Sequence, residues 1–347
     1  MERELPPLVA ACLRRPTPYT PVWLMRQAGR YLPEYREMRG RYSFLQMCKE
    51  PELALKVTLL PVERFGLDGA ILFSDLLLPL EAMGLRLRYG EGGPAIENPV
   101  GGRRDVEALR TEGVLEGLSP VMEAARLARR ELPQGVALIG FAGAPFTLAS
   151  YAVEGGGARD FSKTKGLMYG EPETFGLLME KIAEVITLFL RAQVEAGCQV
   201  LQIFDSWAGA LSPMDYRRHV LPYTKRVIGG LEGKAPLIHF ATSAAGILEL
   251  MASAGGDVIG VDWRVDLGEA WKRVGYNRGI QGNLDPALLL GPRALIEEGV
   301  REVLSAAAGR PGHIFNLGHG VLPQTPEENV AFLVETVRRL SERADWG

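Results

Sequence analysis

Pro21-Val22-Trp23-Leu24-Met25 is a short apolar run that ends abruptly in Arg26-Gln27-Ala28-Gly29-Arg30. Comparable runs lie at 70–75, 136–141, 199–205, 235–240, 257–263, 279–282 and 313–317. Eight runs rich in Val, Ile, Leu and Phe, separated by segments of helical periodicity, are the alternation expected of βα units on a parallel sheet. Over 172–196 and 326–343 the Leu, Ile and Val residues recur every three or four positions, as on a helix with one buried face. Thr325-Pro326-Glu327-Glu328 supplies a capping Thr, a Pro at the first helical position and acids in the first turn. With this strand number, no linker, no internal repeat and no low-complexity tract, the chain is expected to be one (β/α)8 TIM barrel domain over 1–347. A doubly wound open sheet is the rival architecture. Two stretches interrupt the alternation: 84–118, with two Gly pairs and an expected hairpin, and 151–171, with Gly155-Gly156-Gly157. Both read as loops or excursions over the barrel.

Composition narrows the function classes. A chain that is 47% hydrophobic and 23% charged is globular, not disordered, collagen-like or a disulfide scaffold. A net charge of −3 and a pI near 6.0 argue against a general nucleic-acid binder, so any anion site must be local. Cys12, Cys48 and Cys198 are odd in number and lack C-x-x-C pairing, which suggests neither a disulfide framework nor a cysteine zinc site and fits a reducing cytoplasm. The N-terminus lacks signal-peptide order and no apolar run reaches membrane-spanning length, so no membrane location is expected.

In a barrel the βα loops at the C-terminal ends of the strands converge on one mouth, where the chemistry sits. The candidate strands end in polar residues: Arg26 after the first, Ser74-Asp75 on the second, Asp205-Ser206 on the fourth and His239 on the fifth. Asp262, Gln281, and Asn316 with His319 continue the ring on the sixth to eighth. Stability alone does not require such a ring. Arg26 and Arg30, four apart around Gly29, can present two planar forks to carboxylates where the strand has ended. The competing reading is a basic pair on a helix surface; the apolar run leading in and the tight Ala28-Gly29 favour the mouth. Arg36 and Arg39 extend the basic run, with Glu34 and Glu37 expected to pair with some of these arginines. Gly155-Gly156-Gly157 lacks the G-K-[ST] ending of a phosphate loop and reads as a mobile lid.

The segment from Trp23 to Arg36, Trp-Leu-Met-Arg-Gln-Ala-Gly-Arg-Tyr-Leu-Pro-Glu-Tyr-Arg, resembles the N-terminal signature of the uroporphyrinogen decarboxylase family. The resemblance continues through Phe73-Ser74-Asp75, Gly140 to Leu148, Tyr151 to Gly157, Phe204 to Gly209, and Asn316-Leu317-Gly318-His319-Gly320, nearly the whole chain. Long uncommon words in order are a much stronger signal than a lone tripeptide. The resemblance implies a cofactor-free, metal-free carboxy-lyase of haem biosynthesis, usually a homodimer. Its substrate would be uroporphyrinogen III, whose four acetates lose carbon dioxide to give coproporphyrinogen III. It further implies that Arg26 and Arg30 bind substrate carboxylates, with Gln27, Ala28 and Gly29 lining the same turn and Arg39 as a further anion contact. Asp75 matches the central aspartate, Tyr151 and Ser206 the substrate-contacting hydroxyls, and His319 the histidine near the last strand. Phe204-Asp205-Ser206-Trp207 departs from relatives that carry Glu-Ser-His there.

The chemistry explains the residue types. Direct loss of carbon dioxide would leave an unstabilised carbanion, and the chain offers no pyridoxal or thiamine site, so the substrate must be its own electron sink. Protonating a pyrrole carbon provides that sink and creates a cation. Asp75, among Phe73, Leu76, Leu77 and Leu78, can accept the pyrrole N–H groups and stabilise it, although a carboxylate after a strand is also a common helix cap. His319 has the ordinary pKa best suited to proton transfer, whereas its flanking Gly318 and Gly320 suit close approach to a ligand; carboxylate contact is the favoured role. Tyr151 and Ser206 read as donors to substrate carboxylates or to Asp75. Phe141, Phe146 and Phe204 read as core aromatics. A zinc-dependent corrinoid or thiol methyltransferase of the same barrel type is the rival class. Its His-x-Cys pair is missing here, since Ala241 stands two after His239.

Overall fold

Seven strands and one backbone bridge fill eight parallel positions around a barrel. The computed structural model describes residues 5–90 and 93–343. Its strands are β1 (Gly69–Ile71), β2 (Leu87–Gly90), β3 (Gly93–Ile96), β4 (Ala137–Gly143), β5 (Val200–Asp205), β6 (Leu237–Ala241), β7 (Val258–Gly260), β8 (Gly279–Leu284) and β9 (His313–Leu317). β1 and β4 to β9 form one parallel sheet in chain order, and β2 and β3 form a separate antiparallel hairpin.

The expected first strand, 21–25, contributes only the parallel bridge of Val22 to Phe315. Phe315 N donates to Pro21 O at 2.9 Å on the β9 side, and Asp68 N donates to Val22 O at 2.9 Å on the β1 side, so the segment closes the gap between β9 and β1. A ladder cannot continue because the chain curls at once: Gln27 N donates to Leu24 O at 3.0 Å. Side chains satisfy the amides left over. Val22 N donates to Asp68 Oδ2 at 2.8 Å, Leu24 N to Gln27 Oε1 at 3.2 Å and Met25 N to Asn316 Oδ1 at 3.1 Å. Buried amides left without partners would each cost about 1–3 kcal/mol, so these side chains are structural necessities.

The second expected strand, 70–75, is also shorter than its apolar run. Phe73 N leaves the ladder for Thr58 Oγ1 at 2.9 Å, which puts Ser74 and Asp75 in the loop beyond β1. Strand alternation sends one set of side chains inward and the other toward the helices. The inner set, Trp23, Met25, Ile139, Val200, Ile238, Phe240, Val258 and Ile314, forms one core, plugged by Leu8 and Val9 of helix Pro7–Cys12. Gly69 has no room for a side chain there, because a Cβ would stand 2.7 Å from Leu8 Cδ2 and 2.9 Å from Ile139 Cδ1. Across the middle of the barrel, Trp23 Nε1 donates to Gln281 Oε1 at 2.9 Å and Gln281 Nε2 to Gln202 Oε1 at 3.0 Å.

The second, larger core lies between strands and helices. Helix Pro172–Glu195 buries Phe175, Leu178, Met179, Ile182 and Ile186, the stripe expected from its periodicity. Helix Glu327–Ser341 begins one residue later than expected: Pro326 is its N-cap, and the Thr325 hydroxyl is buried without a partner, so the expected Thr325 cap is not made. Glu327 and Glu328 do occupy the first turn. The hairpin expected within 84–118 is β2–β3. The expected loop over 151–171 is largely helical, because helix Pro145–Glu154 runs to Gly155 (φ 82°) and helix Ser162–Gly170 follows. Ile96 N donates to Gly155 O and Val100 N to Ala152 O, both at 2.8 Å, fastening this stretch to the hairpin.

Asp68 carries the closure, accepting from Val22 N and from Tyr19 Oη at 2.8 Å, with Arg338 at 3.2 Å. Asp68→Ala is expected to lower folding stability by about 2–3 kcal/mol through the stranded Val22 amide. A urea midpoint equal to the wild type's would contradict this role.

Candidate active site

Closure fixes the turn that follows it. Arg26 adopts a left-handed conformation (φ 56°), uncommon for a residue with a side chain. Gln27 anchors the turn from beneath: besides accepting from Leu24 N, its Nε2 donates to Gly69 O at 3.1 Å, and its own carbonyl accepts Tyr31 Oη at 2.5 Å. The buried Gln27 side chain is thus committed to the scaffold, and its own N–H and carbonyl are engaged within the turn. The stem of Arg26 lies over Gly320, where a Cβ would come within 2.4 Å of Arg26 Cδ. Glycine in the loop after β9 therefore makes room for the arginine that follows the first segment.

Arg26 and Arg30 are exposed, and among the described residues neither guanidinium has an ion-pair or hydrogen-bond partner. Arg39 donates to Tyr42 O at 2.7 Å and lies 5.9 Å from the centre of the Phe44 ring. The expected pairing of Arg36 or Arg39 with Glu34 or Glu37 does not occur. Arg64 takes Glu34, Arg41 takes Glu37, and Arg36 donates to the Arg30 and Tyr31 carbonyls. Free guanidinium groups thus concentrate at one rim of a mildly acidic protein.

Asp75 is half-buried beyond β1. Its Oδ1 accepts Leu77 N at 2.8 Å, which caps the turn into helix Leu78–Ala82, and also Tyr89 Oη at 2.5 Å from the hairpin. Burial pushes the Asp75 pKa up, opposed by the bonds from Tyr89 and Leu77. The sequence alone does not mark Tyr89, since only the docking of the hairpin brings it to Asp75; neither Tyr151 nor Ser206 is the hydroxyl bonded to Asp75. The Tyr151 ring packs on Trp207 with centroids 4.1 Å apart. Its pKa is raised by burial and then by the Asp75 charge, with Arg26 opposing. Ser206 is half-buried just past β5, and its carbonyl accepts Thr242 Oγ1 at 2.5 Å.

His319 follows β9 beside Arg26. Burial and then the Arg26 charge lower its pKa to about 4, with Asp262 opposing, so the ring is neutral near pH 7. Other members of the polar ring serve the scaffold. Asp205 and His239 fall on the outward parity of β5 and β6, behind the wall of the mouth, with Asp205 Oδ2 3.5 Å from His239 Nε2 and 3.4 Å from Tyr216 Oη. Asp262 accepts Ser243 N at 2.7 Å and Arg264 at 2.5 Å. Phe141 and Phe204 meet edge to face at 5.7 Å, whereas Phe146 is buried among the helices. Among the described residues no three His, Cys, Asp or Glu side chains gather as a metal site would need, and no helix is long and apolar enough to cross a membrane.

The family model described as uroporphyrinogen decarboxylase (URO-D) matches residues 4–340. The chain belongs to the uroporphyrinogen decarboxylase family. Relatives named uroporphyrinogen decarboxylase from Carboxydothermus hydrogenoformans and Syntrophotalea carbinolica are 56% and 55% identical, over 95% and 96% of this chain and 95% and 97% of theirs. Among solved structures, a methyltransferase from Methanosarcina mazei superposes with a TM-score of 0.84, covering 97% of this chain and 99% of its own, at 22% identity. That likeness shows the fold alone, an α/β barrel shared between this family and the methyltransferase.

The neutral His319 has a consequence for stability. Its pKa falls from the ordinary 6.5 to about 4 in the fold, so the unfolded chain takes up the proton first as pH drops. The stabilisation is therefore present above pH 6.5 and is lost as pH falls through about 4. His319→Asn should lose less stability than the wild type between pH 7 and 5, by about 1–2 kcal/mol, read from urea midpoints. An imidazole resonance titrating near 6.5 would contradict the buried placement beside Arg26.

Proposed function

We propose that this chain removes carbon dioxide from the four acetate side chains of uroporphyrinogen III, giving coproporphyrinogen III, with Arg26 and Arg30 holding substrate carboxylates and Asp75 facing the pyrrole N–H groups. The observation that carries this reading is the pairing of opposites at one mouth: unpartnered guanidinium groups at the rim and a carboxylate held in drier surroundings beyond β1. Planar guanidinium forks suit carboxylates, and the half-buried carboxylate suits a cation that exists only during the reaction.

For each acetate, a proton adds to a pyrrole ring carbon and leaves the ring cationic. The bond to the carboxylate then breaks, carbon dioxide departs, and the released electron pair neutralises the ring. The exocyclic methylene takes up a proton to become methyl, and the ring carbon returns its proton, so one proton is consumed per carbon dioxide. Asp75 stabilises the cationic stage, and the low dielectric around it strengthens that interaction. Arg39, Tyr151, Ser206 and His319, with the turn that Gln27, Ala28 and Gly29 line, complete the proposed contacts to the substrate; a neutral His319 donates from its ring N–H rather than as a cation. The single-domain organisation over 1–347, the cytoplasmic location that the cysteines suggest and the homodimer implied by the resemblance belong to this proposal, and sedimentation tests the dimer.

Anaerobic incubation with uroporphyrinogen III is expected to yield the seven-, six- and five-carboxylate intermediates and then coproporphyrinogen III. A folded sample that releases no carbon dioxide would sink the assignment. Asp75→Asn should lower kcat about a hundredfold or more while KM moves only a few-fold, because the charge matters mainly to the cationic stage. Unchanged turnover would refute its role. Arg26→Ala should weaken octacarboxylate binding about tenfold to a hundredfold and reduce kcat/KM with it. Normal affinity would place the carboxylate clamp elsewhere.

A further inference from the structure

Among the described residues, Tyr89 is the one side chain that donates a hydrogen bond to Asp75. It reaches across from β2, where alternation turns Leu87 and Tyr89 inward and leaves Arg88 and Gly90 exposed. Its ring is fixed by packing, with its centroid 4.9 Å from that of Phe44, which in turn stands 5.8 Å from Phe73. The hairpin is itself anchored, by Arg86 N to Asn98 Oδ1 at 2.7 Å and by the Ala95 to Gly156 bridge. The two donors that reach Asp75 at full hydrogen-bond geometry among the described residues, Leu77 N and Tyr89 Oη, both use Oδ1, while the neighbouring Leu76 amide adds a weaker pull toward the ionised form.

We propose that Tyr89 is a positioning residue for decarboxylation, whose hydroxyl holds Asp75 by Oδ1 and so fixes the direction from which Oδ2 meets the pyrrole N–H groups. The inference rests on the role given to Asp75 above. A carboxylate on a loop can rotate about its terminal torsion; two donors on one oxygen stop that rotation, one from its own turn and one from a separate element. The phenol donates to the carboxylate and favours its ionised form, opposing the burial that pushes the Asp75 pKa up. Three other titratable groups interact with Asp75. Glu81 on helix Leu78–Ala82 raises its pKa further, though Lys49 lies 2.7 Å from Glu81. Cys48 on helix Phe44–Lys49 and Tyr151 on helix Pro145–Glu154 both have raised pKa values and are uncharged near neutrality. Tyr89 is the foremost group that counters burial.

Tyr89→Phe removes only the hydroxyl and keeps the ring against Phe44. It is expected to lower kcat about tenfold with KM within about twofold, and to move the acid limb of the kcat profile up by as much as about one pH unit. The direction follows because loss of the donor makes Asp75 harder to ionise. The wild type, Tyr89→Phe and Asp75→Asn are assayed side by side on uroporphyrinogen III, with circular dichroism melts as a check on folding. If Asp75→Asn loses turnover while Tyr89→Phe keeps the wild-type kcat and acid limb, Tyr89 has no positioning role and the reading of Asp75 stands. If Tyr89→Phe melts early but its folded fraction has wild-type kcat and an unmoved limb, the hydroxyl is merely structural and the inference is overturned. If Asp75→Asn itself turns over normally, the reading beneath the inference fails, and the inference with it.

Discussion

A parallel barrel whose last gap is crossed by one backbone pair must satisfy the amides of the crossing segment by other means, and here Asp68, Gln27 and Asn316 do so. These three side chains come from the loop before β1, from the turn itself and from β9. Each accepts an amide that a regular strand would have given to a neighbour. The closure therefore couples the two edges of the sheet through side-chain geometry, and the chain emerging at Arg26 has its direction set by all three. The remaining strands could form a curled sheet without this clasp. The mouth could not have its present shape.

The functional geometry follows from that constraint. Arg26 leaves the clasp in a left-handed turn and lays its stem over Gly320, so its charge sits beside His319 and adds to the burial that lowers that ring's pKa. The carboxylates nearest the basic run in sequence are engaged elsewhere, Glu34 with Arg64 and Glu37 with Arg41. Beyond β1, Thr58 ends the ladder early and hands Asp75 to a loop, where the hairpin covers it. A rim where Arg26 and Arg30 have no partner among the described residues and a sheltered carboxylate thus arise from separate local causes. Their union at one mouth suits a polycarboxylate that becomes transiently cationic.

Much of this was legible in the sequence because apolar periodicity reports which faces are buried. The interior runs at 136–141, 199–205, 235–240 and 313–317 appear as β4, β5, β6 and β9, and the stripe over 172–196 as one long helix. Ends were less legible, since they depend on partners distant in the chain. Nothing near 70–75 indicates that Thr58 draws Phe73 out of the ladder, and nothing near 21–25 indicates that Asp68 replaces a strand neighbour. Parity misled at Asp205 and His239, polar residues near strand ends that point toward the helices. Tyr89 was hidden for a related reason: its place over Asp75 depends on the docking of a whole hairpin, and no local pattern encodes it.

Amide hydrogen exchange at Val22, Leu24 and Met25 tests the closure most directly. If the side-chain clasp is integral to the barrel, these amides exchange only by global unfolding, with the same free energy as the amides of β4 and β5. Exchange of Val22, Leu24 and Met25 by local opening, while β4 and β5 stay protected, would contradict it.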